Sequence, residues 1–476
     1  MKTLRSLPAG LIGCSLLLTA CGGAAAPSVA PAAPSSPSSP AAAVAPSQAA
    51  APSAKPAASA SAKPAAEAPG GSAASNAPIK VGILLPLTGP LAQVGQDSED
   101  GFQLYLDSIN STVLGRKIEP LYTDTKGAAD QALTKAKQLV ENDKVTLLMG
   151  LNGTPECYAV APYVREAQVP LIVSTNCGAQ TLTTDPKYAS PYLARITQTS
   201  FGQQDPVGDW AYKKGYRKIA LVVDDFGGAL EAVDSFADTF IRRGGQIVQE
   251  QYPALGTTDF GPFVAQLKRD GVDAIADVLF GGDPLRWYEA YLNYGGGQSK
   301  IPIIDISAGI SAGPNRAQLK DKVLGITSTY LYTTAYDSPE NAAFIKAYKA
   351  KFPGRYVAKD SASSYAGAMV LEAAIKKVNG NVEDKQKFLQ AIDDTNLPTN
   401  KGPVKLDSHH DIIQNIYIFD FVKNGDSIDE RMVDTYKDVP PTGLDRTEQE
   451  IAKFPIGQMK GKWVGMTADQ LKQIGG

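Results

Sequence analysis

From residue 79 onward the chain alternates short apolar runs with longer stretches whose apolar residues recur every three or four positions. IKVGILLPL precedes DSEDGFQLYLDSIN, KIEPLYTD precedes ADQALTKAKQLVEN, and VTLLMG leads into PECYAVAPYVREA and then VPLIVST. A second series follows: KIALVVDD with ALEAVDSFADTFIRR, QIVQEQY with DFGPFVAQLKRD, AIADVLF with PLRWYEAYLNY, and IPIIDIS. Short apolar runs without strict alternation are strands buried on both faces, and the amphipathic stretches are the helices that cover them. The pattern predicts an α/β fold of two doubly wound parallel-sheet lobes. The seam falls near YLARITQTSFGQQDP, where a strand runs into a new helix without a return unit.

A third block changes the rhythm. GITSTYLYT is followed by the helical SPENAAFIKAYKAKF, KDSASSYAGAMVLEAAIKKV and DKQKFLQAID, then by the strand-like QNIYIFDFV. A return of this block to the first lobe joins the halves by a multi-crossover hinge. The expected first lobe is residues 78–198 plus 325–405, and the second is 199–324 plus 406–476. Loops at the C-terminal strand ends of two such lobes enclose a cleft able to close on a small molecule.

The N-terminus departs from this pattern. Lys2 and Arg5 precede an apolar run too short for a permanent membrane span, so residues 1–20 read as an export signal. Leu18-Thr19-Ala20-Cys21 resembles the bacterial lipobox, which marks Cys21 for acylation as the first mature residue. Residues 21–77 are then the lipidated Cys and a tether made almost wholly of Ala, Pro, Ser and Gly, which cannot bury a core. The expected location is the outer face of the cytoplasmic membrane.

Export bears on the four cysteines, because disulfides persist outside the cytoplasm. Cys14 leaves with the signal and Cys21 is taken by lipid, leaving Cys157 and Cys177. The pair reads as a bridge, with free buried thiols and a metal site as alternatives. The 46 basic and 49 acidic residues give a net charge of −3. That balance points to neither nucleic acid nor an anionic membrane surface as partner.

Enzyme signatures are missing. PLTGPLAQVG after the first strand is not a dinucleotide fingerprint, and there is no P-loop or nucleophile elbow. His409 and His410 are adjacent and read as a solvated loop pair. Asp224 and Asp225 read as strand-end acids, and Trp287, Tyr288, Tyr291 and Tyr294 as a core stripe. No catalytic residue, metal or cofactor is expected. One loop stands out: MGLNGTPECYAVAP turns at Asn152-Gly153 and enters a helix with Thr154 at the cap and Pro155 after it. The amides of such a first turn attract an anion, and capping by Thr154 is the plain alternative. On the neighbouring strand's exit, Asn176, Cys177 and Gly178 offer backbone groups from a second direction, fastened by the bridge.

IKVGILLPLTGPLAQVGQDSEDGFQLYLDSIN, DTKGAADQALTKAKQLVENDKVTLLMG and APYVREAQVPLIVST resemble the leucine/isoleucine/valine-type periplasmic binding proteins, solute receptors of ABC importers. The resemblance spans residues 79 to about 425. It implies a non-enzymatic, monomeric receptor that hands a small-molecule solute to a membrane permease. The family's contacts fall on Val94, Thr154, Asn176 and Gly178 in the first lobe. In the second they fall on Phe226, the Gly282-Asp283 loop and Ser307. Two positions depart: amino-acid receptors carry an aromatic where Val94 stands and an acid close to Ser307 or Ala308. The expected solute is therefore open between a branched-chain amino acid, an aromatic acid and an amide. A ligand sensor signalling to a receptor or kinase is the alternative role.

Overall fold

The computed structural model describes residues 76–296 and 301–475. The expected signal segment, Cys21 and nearly all of the tether lie outside them. No helix among the described residues is long and apolar enough to cross a membrane.

Two sheets organise the chain. The smaller contains β1 (Ile79–Leu85), β2 (Thr112–Val113), β3 (Arg116–Asp124), β4 (Leu147–Gly150), β5 (Leu171–Val173) and β6 (Leu193–Arg195), in the order β2-β3-β1-β4-β5-β6. Its pairs are parallel except β2 with β3. The larger sheet takes β7 (Lys218–Val223), β8 (Gln246–Gln251), β9 (Ala274–Val278), β10 (Ile303–Asp305) and β11 (Ile326–Tyr330) in the parallel order β11-β10-β9-β7-β8. Both lobes thus reverse direction beside their first strand, at β1/β4 and at β7/β9. Loops at the C-terminal ends of strands flanking such a reversal form a crevice. Every residue of β4, β5 and β9 is buried, as helices on both faces require.

The larger sheet continues with antiparallel strands: β12 (Asn396–Thr399), β13 (Gly402–Leu406), β14 (Ile412–Asn424) and β15 (Ser427–Val439). The lobe boundaries therefore differ from those expected. The strand 326–330 does not return to the first lobe, because it is the next parallel neighbour of β10. Strands β12 and β13, assigned by sequence to the first lobe, join the larger sheet through β14. The segment that does return is helical. The helix Lys359–Lys377 lies against Ala92–Ser108 so closely that a Cβ on Gly101 would meet the Ser361 carbonyl at 2.0 Å. The chain thus passes between lobes three times, after β6, after β11 and before β12, as a multi-crossover hinge requires.

At the first crossing Arg195 is fully buried, and its guanidinium donates to both carboxylate oxygens of Asp411 and to the Ala179 carbonyl. Beyond β15 the chain folds back onto the second lobe. Thr447 and Glu450 form a capping box for the short helix Glu448–Lys453. Trp463 is buried with its indole N–H donating to Asp234 at 2.9 Å. Asp234 also accepts from the Gly457 amide at 2.7 Å, so one carboxylate anchors the C-terminal segment.

Burial also sets a pH response. Asp97, Glu156, Asp205 and Asp234 are each pushed up to about 7, chiefly by loss of water around the carboxyl. Their folded values exceed the unfolded ones, so the folded state holds extra protons between about pH 4 and 7. Their stabilising effect is complete below that window and is lost as pH rises through it. The melting temperature is expected to be several degrees higher at pH 5.5 than at pH 7.5, with Asp97→Asn flattening the difference. A scan with equal melting at both values contradicts the assignment.

Candidate functional site

The C-terminal strand ends of the two lobes face each other across a gap. The first lobe lines it with Leu91, Val94, Asn152, Gly153, Thr154, Asn176 and Gly178, and the second with Phe226, Gly228, Ala232, Val278, Phe280, Ser307 and Tyr330. Gln198, Ser200, Gln203 and Gln204 come from the first crossing and the helix Ser200–Lys213 that follows it. The lobes touch around this gap: a Cβ on Gly227 would meet Pro155 Cγ at 3.3 Å, and one on Gly281 would meet the Pro90 carbonyl at 2.2 Å.

Six of the residues expected at the site line this gap: Val94, Thr154, Asn176, Gly178, Phe226 and Ser307. Two do not. Cys177 is buried and bonded to Cys157, linking the first turn of the helix Thr154–Ala167 to the loop after β5. Asp283 turns away from the gap. Its Oδ2 accepts from the Gly256 amide at 2.8 Å and its Oδ1 pairs with Arg286. The loops that Cys157 and Cys177 fasten are the ones presenting Thr154 and Gly178.

Local geometry corrects the role expected of Thr154. Gly153 is the N-cap, with φ −166° and ψ 133°, and Thr154 is the first helical residue with Pro155 next. No side chain caps this helix start. The Thr154 hydroxyl is buried without a hydrogen-bond partner, so helix capping does not explain it. Directly opposite, the helix Gly227–Arg242 starts after Phe226, again with no side-chain cap. A Cβ on Gly228 would lie 3.4 Å from Thr154 Oγ1, so the two starts meet head to head. Each end carries unsatisfied amides and the positive pole of its helix dipole, an arrangement that favours negative charge.

Much of the remaining polar lining is bonded to its own neighbours. The Asn176 amide nitrogen of the backbone donates to Asn152 Oδ1 at 3.0 Å, so it is not the free group expected from sequence. Asn176 Oδ1 accepts from Gln198 Nε2 and from the Tyr330 hydroxyl at 3.2 Å, a bond between lobes. Asn176 Nδ2 donates to Asp360 Oδ1 at 3.1 Å, an oxygen that also pairs with Lys359. The Ser307 hydroxyl donates to the Leu279 carbonyl at 2.7 Å, and that of Ser200 to the Gly178 carbonyl at 3.0 Å. Gln204 keeps a buried, unpartnered Oε1. Among the described residues that line the gap, none carries a charge. Asp305, two residues before Ser307, is held inside the second lobe by the Gly309 and Ile310 amides and the Ser328 hydroxyl.

Apolar surface completes the enclosure. Phe226 is half-buried, with its ring edge-on to Phe280 at 6.2 Å between centroids, and Leu91, Val94 and Val278 add aliphatic walls. Phe226→Ala is expected to weaken solute binding roughly 10-fold or more, since aromatic contacts of this kind dominate small-ligand affinity. Calorimetry giving an unchanged affinity removes Phe226 from the site. The remaining motifs behave as sequence suggested. His409 and His410 face separate acids, Glu448 and Asp393. Trp287, Tyr288 and Tyr291 are core, although Tyr294 is exposed.

The family profile described as "Periplasmic binding protein" matches residues 78–426. The chain is 30% identical over 361 residues to the Leu/Ile/Val-binding protein homolog 6 of Brucella melitensis, covering 75% of this chain and 90% of that one. Among solved structures it is similar to an ABC transporter substrate-binding protein from Sphaerobacter thermophilus (30% identity, TM-score 0.71, 77% of this chain and 100% of the other). It is equally similar to a solute-binding protein of an ABC transporter from Rhodopseudomonas palustris HaA2, solved with p-hydroxybenzoic acid (30% identity, TM-score 0.70, 78% and 100%). Two-lobed, with a gap at the strand reversals and matched over most of its length, the chain belongs to the periplasmic binding protein family. It is a solute-binding protein of the ABC-transporter type.

Proposed function

We propose that this chain is an exported lipoprotein, acylated at Cys21, which captures a small aromatic carboxylate between its lobes and delivers it to the permease of an ABC importer. The observation that carries the solute class is the head-to-head meeting of two uncapped helix starts beside the unpartnered Thr154 hydroxyl. These groups suit a carboxylate. No lining carboxylate is available for an ammonium, and a buried ammonium without an anion is strongly disfavoured. That argues against a leucine-like solute. Phe226 and Phe280 suit a ring, and the relative from Rhodopseudomonas palustris holds an aromatic acid. The carboxylate would sit against the first lobe's Thr154 and Gly178 and the second lobe's Gly228, with the ring toward Phe226, Val94 and Ser307. These contacts coexist only in the closed form, so binding shifts the lobes toward closure and presents a closed, monomeric receptor to the permease.

A thermal-shift series on the protein without its signal segment tests this reading, since a solute that binds the native state raises the melting temperature. Benzoate and its ring-substituted relatives are expected to stabilise the protein, and leucine, isoleucine and valine to leave it unchanged. Stabilisation by the amino acids alone refutes the solute class. For the anchor, labelling with a radioactive fatty acid in cells is expected to disappear in Cys21→Ala, and persistence of the label contradicts it.

A further inference from the structure

Resting on that reading of the solute, we infer that Gln204 recognises a hydrogen-bond donor carried on the ring, and so sets a preference for hydroxylated over unsubstituted aromatic acids. The inference comes from what the closed gap leaves unpaired. Most of its other polar side chains are committed: Asn152 to Ser98 and Asn176, Asn176 to Gln198, Tyr330 and Asp360, Ser307 to Leu279, and Ser200 to Gly178. Gln198 is itself held on its oxygen by the Thr197 hydroxyl.

Two lining residues hold a buried side-chain oxygen with no hydrogen-bond partner, Thr154 at Oγ1 and Gln204 at Oε1. They are chemically complementary. A hydroxyl beside two helix starts donates to an anion, whereas an amide oxygen can only accept. A buried acceptor left unpaired is unfavourable, so occupation is favoured by a solute bringing an O–H or N–H to Gln204. A bare ring leaves that acceptor dry and unpaired. A site built to bond a substituent discriminates against the analogue lacking it far more strongly than an apolar pocket does. Gln204 lies in the first turns of the helix Ser200–Lys213, which follows the first crossing, so its amide is carried on a regular element.

The test is calorimetry with benzoate, 3- and 4-hydroxybenzoate, 4-aminobenzoate and 4-methoxybenzoate, on wild type and Gln204→Leu. The methoxy compound keeps the ring oxygen but adds a methyl group and donates nothing, and the amino compound separates N–H from O–H donors. For wild type, at least one hydroxy acid is expected to bind about 10- to 100-fold more tightly than benzoate and 4-methoxybenzoate. In Gln204→Leu that gap is expected to close, with benzoate binding retained or improved. Equal wild-type affinities for benzoate and the best hydroxy acid overturn the inference, as does a gap that survives in Gln204→Leu. The wild-type series stands by itself if the variant folds poorly. Failure of every aromatic acid to bind wild type overturns the solute class itself, which is a different result from binding without discrimination.

Discussion

Thr154→Val is expected to lower affinity for the solute by about 10- to 100-fold while the empty protein melts at the same temperature or slightly higher. Valine keeps the shape of threonine and removes only the hydroxyl. With the lobes together that hydroxyl is buried and has no protein partner, and so contributes no hydrogen bond to the fold. With a carboxylate present the same group donates a hydrogen bond to a charge, worth roughly 1.5–3 kcal/mol. Function and stability therefore move independently, or in opposite directions. A purely capping threonine behaves differently, because its removal costs about 1 kcal/mol of stability. Calorimetry paired with thermal melting separates the two. Unchanged affinity with a lowered melting point contradicts the role given to Thr154.

Asp411→Asn is expected to destabilise the whole domain by about 3–5 kcal/mol, a large part of the roughly 5–15 kcal/mol that holds a typical protein folded. Arg195 ends the last strand of the first lobe, and its guanidinium is fully buried at the first crossing. Asp411 precedes β14 of the other sheet and also accepts from the Thr183 hydroxyl at 2.9 Å. Asparagine leaves the arginine charge buried without a counter-charge. Replacing both members together, with Arg195→Met and Asp411→Leu, is expected to recover part of the loss, since the penalty belongs to the stranded charge. Urea unfolding measures both. A single-variant loss below about 1 kcal/mol would show that water reaches the pair.

Much of this architecture was legible in the chain, for identifiable reasons. Strands of a doubly wound sheet are buried on both faces, so runs such as LLMG and KIALVV stand out against amphipathic helices. The loop Asn152–Pro155 was visible because Gly and Pro mark a helix start regardless of tertiary context. The cysteine pair was visible because Cys157 and Cys177 are the only two within the repeating strand-and-helix pattern. What failed depended on which partners each residue meets in the folded chain. Strand 326–330 looked like the start of a new block, yet its place is fixed by β10 on one side and β14 on the other. Asp283 was placed at the site by resemblance, but Arg286 one helical turn away and the Gly256 amide claim it.

Gln204 and Gln198 carried no local signal. The helix Ser200–Lys213 is buried on nearly every side up to Ala211, so it shows no amphipathic stripe from which a cavity-facing position could be read. Tyr330 belongs to a strand whose lobe was misassigned, which hid its bond to Asn176. One missed signal was readable: Asn424-Gly425 between apolar alternations marks the turn joining β14 to β15, where Gly425 takes φ +60°. Residues beyond 426 lie outside the family match, and only packing shows Trp463 as part of the second lobe's core.

The proposed function requires the gap between the lobes to be a solute compartment that closes by hinge motion about three crossings. Small-angle X-ray scattering of the protein, empty and then saturated with a solute proven by calorimetry, addresses it most directly. A smaller radius of gyration and a narrower distance distribution are expected in the saturated sample. Identical scattering curves before and after saturation contradict closure, and with it the assignment of Thr154 and Gly228 to opposite sides of one carboxylate.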